Sequence, residues 1–249
     1  MRKSIVSIGV NDLSMSFVLK EIVSKSKQHL SSYVCVANVH MAIEAFWDSD
    51  YAKMVNDADL VLPDGMPIAK SMGFLYGVKQ ERIAGMDLLP ALLEMSEKNG
   101  LGVFFYGGTD DMMNRTKQFV SHHYPALANH HFYSPPFREL TSDENEQVVS
   151  RINSSGAHLV FVVLGCPKQE KWMFRMKGRI NACMIGIGGA LPVLIGQQRR
   201  APVWMQKASL EWFYRLIQEP RRLFKRYFVT NSLFLFLILK QWILRGRTP

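Results

Sequence analysis

Four polar segments stand directly after apolar runs, where chemistry on a phosphorylated ligand is usually placed. They are Asn38-Val39-His40, Asp64-Gly65-Met66-Pro67, Gly107-Gly108-Thr109 and Gly165-Cys166-Pro167-Lys168-Gln169-Glu170. Glycine lets a ligand approach the backbone closely, and free N–H groups at a helix start attract phosphate. Asp64 is the most pointed of these residues, because a carboxylate between an apolar strand and Gly65 is held on a rigid element. Such a group can take a proton from an attacking hydroxyl, the step that transfer of a sugar requires. An Asp here can equally cap the helix expected from Pro67, and both readings stay open.

Other motifs carry less. Gly107-Gly108-Thr109-Asp110 fits either a phosphate loop or a glycine turn with Thr109 as an ordinary N-cap. Gly186-Ile187-Gly188-Gly189 resembles the start of a dinucleotide fingerprint, but Leu191 occupies the third glycine position and no acidic residue follows at the right distance. No cofactor is therefore expected, although Gly188 still allows close approach to a ligand. Asp48 with Asp50 and Asp57 with Asp59 form Asp-x-Asp pairs. Asp59 precedes the strand that Asp64 follows, which separates them by roughly 17 Å of extended chain, and both pairs read as solvated carboxylates. Without an expected metal, a diphosphate needs protein cations, and Arg82, Lys168 and the C-terminal arginines supply them. His40 has no His or Cys partner at metal spacing, which favours a hydrogen-bonded structural role. Cys35, Cys166 and Cys183 are odd in number and far apart, so neither a disulfide framework nor a zinc site is indicated.

Seven apolar runs can position these loops: Ile5 to Val10, Tyr33 to Ala37, Leu60 to Pro63, Gly102 to Tyr106, His130 to Tyr133, His158 to Leu164 and Ala182 to Ile187. Amphipathic stretches alternate with them, at Ser14 to Lys27, Ala42 to Asn56, Pro67 to Tyr76, Asp87 to Lys98, Asp110 to His123, Ser142 to Ser154 and Gln169 to Met176. This is the pattern of a mostly parallel α/β sheet flanked by helices, whose ligands bind beyond the carboxyl ends of the strands.

Charge divides the chain at residue 199. From Arg199 onward eleven basic residues face two acidic ones, whereas residues 1–198 carry 19 of each sign. The expected organisation is a neutral catalytic body, 1–198, and a basic, aromatic helical appendage, 199–249. Within the appendage, two or three helices are expected with a break at Pro220. Its last apolar run, Leu233 to Leu239, falls short of the roughly 20 residues that cross a bilayer. The sequence thus predicts a surface-lying element, with Arg221, Arg222, Lys225 and Arg226 among anionic head groups and Trp212, Phe213, Phe224, Tyr227 and Phe228 in the interface. The alternative is that these aromatics complete the body's own core. The amino terminus shows no signal-peptide pattern.

Several segments together resemble the WecG/TagA/CpsF glycosyltransferases: Ala37-Asn38-Val39-His40, ADLVLPDGMP ending at Pro67, Arg82 to Asp87, GCPKQEKWM from Gly165, GIGGALPVLIG from Gly186, and Arg200 to Tyr227. The resemblance implies a Rossmann-like body and an inverting, metal-independent transfer. The donor would be a UDP-sugar (UDP-N-acetylmannosamine-like, its uronic acid, or UDP-glucose), and the acceptor a polyprenyl-diphosphate-linked saccharide of cell-surface polysaccharide assembly. It implies Asp64 as catalytic base, Asn38 and Gln169 in the sugar site and Arg82 near the catalytic pocket; the loops read above add His40, Gly65, Gly107, Gly108, Lys168 and Gly188 to the expected substrate site. Arg215, Arg221 and Arg222 would meet the acceptor diphosphate. Many relatives carry threonine where this chain has Val36, a departure that bears on the sugar. The enzyme is expected at the cytoplasmic face of the cell membrane, without a nucleic-acid partner and with self-association left open. Two rivals are another nucleotide-sugar enzyme, such as an epimerase, and a non-catalytic nucleotide-binding membrane scaffold.

Overall fold

Strand residues alternate between two apolar layers, and that alternation sets the architecture. In the computed structural model, which describes residues 1–127, 129–207 and 210–245 apart from the side chains of Lys207 and Arg222, six strands form one all-parallel sheet. They are β3 (Ser32–Ala37), β4 (Leu60–Pro63), β5 (Val103–Gly107), β6 (His130–Tyr133), β7 (Leu159–Val163) and β8 (Cys183–Gly186), in the spatial order β4-β3-β8-β7-β5-β6. Tyr33, Cys35, Phe104, Tyr106, Val160 and Val162 face one layer, and Val34, Val36, Val103, Phe105, Leu159 and Phe161 the other. Strands buried on both faces need a helix on each side. Helices α1 (Met15–Lys27), α5 (Gly85–Asn99) and α6 (Asp110–His123) cover the second layer, while α2 (Val39–Trp47), α3 (Ser49–Asn56), α4 (Met66–Tyr76), α7 (Ser142–Ser154) and α8 (Lys168–Met176) cover the first.

Two expectations change. The first apolar run is not a strand of the main sheet: Val6 turns back at φ 57°, giving an antiparallel hairpin of β1 (Arg2–Ile5) and β2 (Ile8–Asn11). A β-branched residue seldom adopts that conformation, so the turn is invisible to apolar periodicity. The hairpin lies beside edge strand β4, where the Val61 N–H donates to Asn11 Oδ1 at 2.8 Å, blunting an edge that would otherwise be open. The stretch Ala42 to Asn56 is two helices, because Asp48 Oδ1 accepts the N–H groups of Asp50 and Tyr51 and starts α3 afresh.

After α9 (Ala190–Leu194), the chain forms α10 (Val203–Lys207), α11 (Glu211–Gln218) and α12 (Pro220–Arg245). Pro220 opens α12, where its fixed φ and missing N–H do no harm. The helix continues through Lys240 and Gln241, so its apolar length exceeds the sequence estimate: Leu223–Arg245 is long and apolar enough to cross a bilayer by length and composition. One face nevertheless packs on the body through Leu223, Thr230, Phe234 and Ile238. Gln241 fastens the far end to the hairpin, accepting from the Val6 N–H at 3.1 Å and donating to the Ser4 carbonyl at 2.9 Å. Phe234 is at 2% exposure and Phe228 at 69% on the same helix, so one face of α12 completes the core while the aromatics Trp212, Phe213, Phe224 and Phe228 do not.

Candidate active site

The carboxyl ends of β3, β4, β5, β7 and β8 open onto a cleft of about 1150 Å³, roofed by α11 and α12. Asp64 stands on its floor. The Asp64 N–H donates to the Ala37 carbonyl at 2.9 Å, continuing the β3–β4 ladder past its last pair, and the side-chain Oδ1 accepts the Gly85 N–H at 3.0 Å. Gly65, rather than Asp64, occupies the N-cap of α4, so the capping alternative gives way to a bond with the first residue of α5. Burial pushes the Asp64 carboxyl above its ordinary pKa. The Gly85 bond, Arg215 and Arg82 pull it back, and Glu211 adds to the rise.

Asn38 caps α2 by accepting the Met41 N–H at 3.1 Å, which uses its carbonyl oxygen and leaves its amide hydrogens to offer a ligand. His40, in the first turn of α2, is lowered to a pKa of about 4 by burial and by Arg226. It is therefore neutral, and Glu44 at 3.6 Å does not form an ion pair with it. The His40 Nδ1 is buried and unpartnered among the described residues, so the structural hydrogen bond expected of it is not made there. Gln169 is only 5% exposed and faces the cleft with Oε1 unpartnered, an omission that ordinarily costs about 1–3 kcal/mol.

The cleft also gathers Gly65, Arg82, Gly108, Gly188 and Arg215 from the sequence-derived set. It is not lined by Gly107, Lys168 or Arg221. Gly107, at φ 114°, is a glycine for packing: a Cβ there would stand 2.6 Å from the Val163 carbonyl oxygen on β7. Lys168 and Arg221 are exposed, and the Arg222 side chain lies outside the described residues. Thr109 lines the cleft and also caps α6, its Oγ1 accepting from the Met112 N–H at 3.2 Å. The Asp-x-Asp carboxylates are engaged elsewhere, Asp48 with the start of α3 and with Lys171 at 3.1 Å, Asp59 with the Tyr33 N–H at 3.1 Å.

Roof and floor meet through charge. Arg82 pairs with Glu211 of α11 and with Asp87 at 3.4 Å, and Arg200 reaches Asp87 at 2.7 Å. Gln198 donates to Glu219 at 3.0 Å. From α12, Arg226 projects into the cleft with a buried Nε that has no hydrogen-bond partner among the described residues. Composition alone groups it with the head-group cations. Its spacing contained the signal, since Arg226, Thr230, Phe234 and Ile238 recur every four residues and therefore share one helical face. Glu211 had no such signal.

A parallel α/β sheet thus carries a buried carboxylate at its carboxyl rim, where ligands of such sheets bind, and Arg215 and Arg226 of the C-terminal helical roof line the same cleft. The chain belongs to the glycosyl transferase WecG/TagA/CpsF family, whose model matches residues 3–248, and it is a glycosyltransferase. It is 31% identical to the N-acetylglucosaminyldiphosphoundecaprenol N-acetyl-beta-D-mannosaminyltransferase of Bacillus subtilis (strain 168) over 196 residues, 78% of this chain and 75% of that protein. The proteins of the same name from Bacillus spizizenii and Staphylococcus aureus (strain MW2) are 31% and 29% identical, over 78% and 77% of this chain and 74% of each relative.

Proposed function

We propose that the enzyme transfers an N-acetylmannosamine-type sugar from a UDP donor to the N-acetylglucosamine of an undecaprenyl-diphosphate-linked acceptor, in cell-envelope polymer assembly, with inversion and without a metal ion. The names of the relatives support the two sugars and the lipid. The observation that carries the chemistry is Asp64, pinned by the Gly85 N–H on the cleft floor opposite Arg215. In a single displacement, the acceptor hydroxyl oxygen bonds to the anomeric carbon as its proton passes to Asp64. The bond from that carbon to the phosphate oxygen breaks, and UDP departs with the electron pair. A carboxylate whose pKa is raised by burial is a better base for this than an exposed one. Arg215, Arg226 and the first turn of α2, with its free N–H groups, line the cleft, and in this reading they offset charge on the diphosphates.

The roof supports work at the cytoplasmic face of the membrane. Phe224, Phe228, Leu235, Phe236 and Leu239 are exposed on α12 while Leu223, Phe234 and Ile238 hold it to the body, so an apolar face and basic residues such as Arg221 and Lys225 are presented outward.

The test is purified enzyme with UDP-N-acetylmannosamine and a prenyl-diphosphate-linked N-acetylglucosamine, with mass spectrometry of the lipid product. A disaccharide lipid, absent with Asp64→Asn, is expected. Conversion of the UDP-sugar without acceptor would point to an epimerase, and UDP binding without product to a scaffold; either overturns the proposal.

A further inference from the structure

Beneath the cleft lies a buried polar cluster that no step above uses. Glu170 has 0% exposure and sits at the heart of it. Its Oε1 accepts from Gln169 Nε2 at 2.7 Å, and its Oε2 accepts from the Tyr51 hydroxyl at 3.0 Å. The same hydroxyl lies 3.3 Å from Cys166 Sγ. A glutamine side chain can present either end of its amide, and the two ends ask for opposite ligands. Here Nε2 donates inward to Glu170, so Oε1 is turned away from it. That oxygen stands 3.2 Å from where a Cβ would sit on Gly188, beside space that no side chain fills, and it has no partner among the described residues.

We propose that Glu170 is a positioning residue that fixes the Gln169 amide with its oxygen toward the donor sugar, so that the sugar must bring a hydrogen-bond donor, an amide N–H or a hydroxyl, to that point. The inference rests on the donor reading given above and deepens it. Gly186 belongs to the same device, because a Cβ there would stand 2.9 Å from Gln169 Nε2 and 2.9 Å from Met173 Cε.

The experiment measures binding of UDP-N-acetylmannosamine and of UDP alone by calorimetry, so that the sugar's own contribution is the difference. In Glu170→Leu the sugar's contribution should fall about tenfold, the scale of one lost hydrogen bond, with UDP binding unchanged. Glu170→Gln should restore it. Its carbonyl can accept from Gln169, its amide can donate to Tyr51, and Tyr51 can then donate to Cys166. Gly186→Ala, which displaces the Gln169 amide while leaving Glu170 intact, should reproduce the selective loss and covers the case in which Glu170→Leu does not fold. Retention of the sugar's contribution in Glu170→Leu and Gly186→Ala, or equal loss of UDP and UDP-sugar in both, overturns the proposal. Wild-type enzyme that binds neither probe overturns the donor reading itself, a result recognisably different from a variant-specific one.

Discussion

The floor and the roof of the cleft are built on different physical terms. On the floor, Asp64 and Gln169 follow strands buried on both faces, and backbone hydrogen bonds carry the ladder up to the residue that matters, as in Asp64 N–H to Ala37. Among the described residues, the roof has no backbone link to the sheet of that kind. It is held by ion pairs between Arg82 and Glu211 and between Arg200 and Asp87, and by one face of α12. The proposed base is thus held by the part of the fold with least freedom. The part proposed to admit a lipid-linked substrate is joined by contacts that can open one at a time.

The largest effect expected on the floor is that of Asp64→Asn. Loss of a general base should lower kcat by about 10²–10⁴-fold. The fold should not suffer. Burial raises the folded-state pKa of this carboxyl, so the protonated form is favoured on folding, and the stability so gained is lost as pH rises through the raised value. Asparagine removes that penalty and keeps an oxygen for the Gly85 N–H. A thermal midpoint at neutral pH equal to or above that of the wild type is therefore expected, with the two converging in acid. A clearly lower midpoint would recast Asp64 as a structural residue.

The effect expected of the ion pair that joins the roof is smaller. Arg82 and Glu211 are both largely buried, and removing either partner strands the other. Arg82→Ala and Glu211→Ala should each cost about 1–3 kcal/mol in stability, with a double variant that costs less than the sum. Additive losses in that cycle would show that the pair does not join roof to floor.

How legible each region was in the sequence follows the same division. The six strands of the main sheet and the loops after them could be read because burial on both faces leaves unbroken apolar runs. Asn38, Asp64 and Gln169 were found for that reason. The misreadings arose where a single residue overrode periodicity, Val6 turning the hairpin and Asp48 restarting a helix. Arg226 was assigned to the wrong side of α12 because composition reports that a helix is basic and aromatic, whereas only the four-residue spacing tells which cations turn inward. The Arg82–Glu211 pair spans 129 positions, and nothing local announces a contact of that separation.

The pH dependence of turnover couples the two regions. The proposed mechanism needs the Asp64 carboxylate, so activity should fall as pH drops through a pKa lying above the ordinary aspartate range. Because Arg215 on the roof lowers that pKa, Arg215→Gln should move the acid limb to higher pH. Glu211→Gln, which removes a like charge, should move it lower. Limbs that stay fixed in both variants, read from kcat against pH, would mean that the roof does not sense the base.

The two faces of α12 should respond differently, and the smallest effect lies on the outer one. Phe234, at 2% exposure, is part of the body's core, and Phe234→Ala should cost about 3–5 kcal/mol in stability, as truncations of buried aromatics do. Phe228, at 69% exposure, touches water in the isolated protein, so Phe228→Ser should leave stability within about 0.5 kcal/mol. Its consequence should appear only with a bilayer. Binding to anionic vesicles should weaken by about 1–2 kcal/mol, the part of a phenylalanine's transfer energy available at an interface. Co-sedimentation measures this directly. Unchanged vesicle binding would assign the outward face of α12 to something other than lipid.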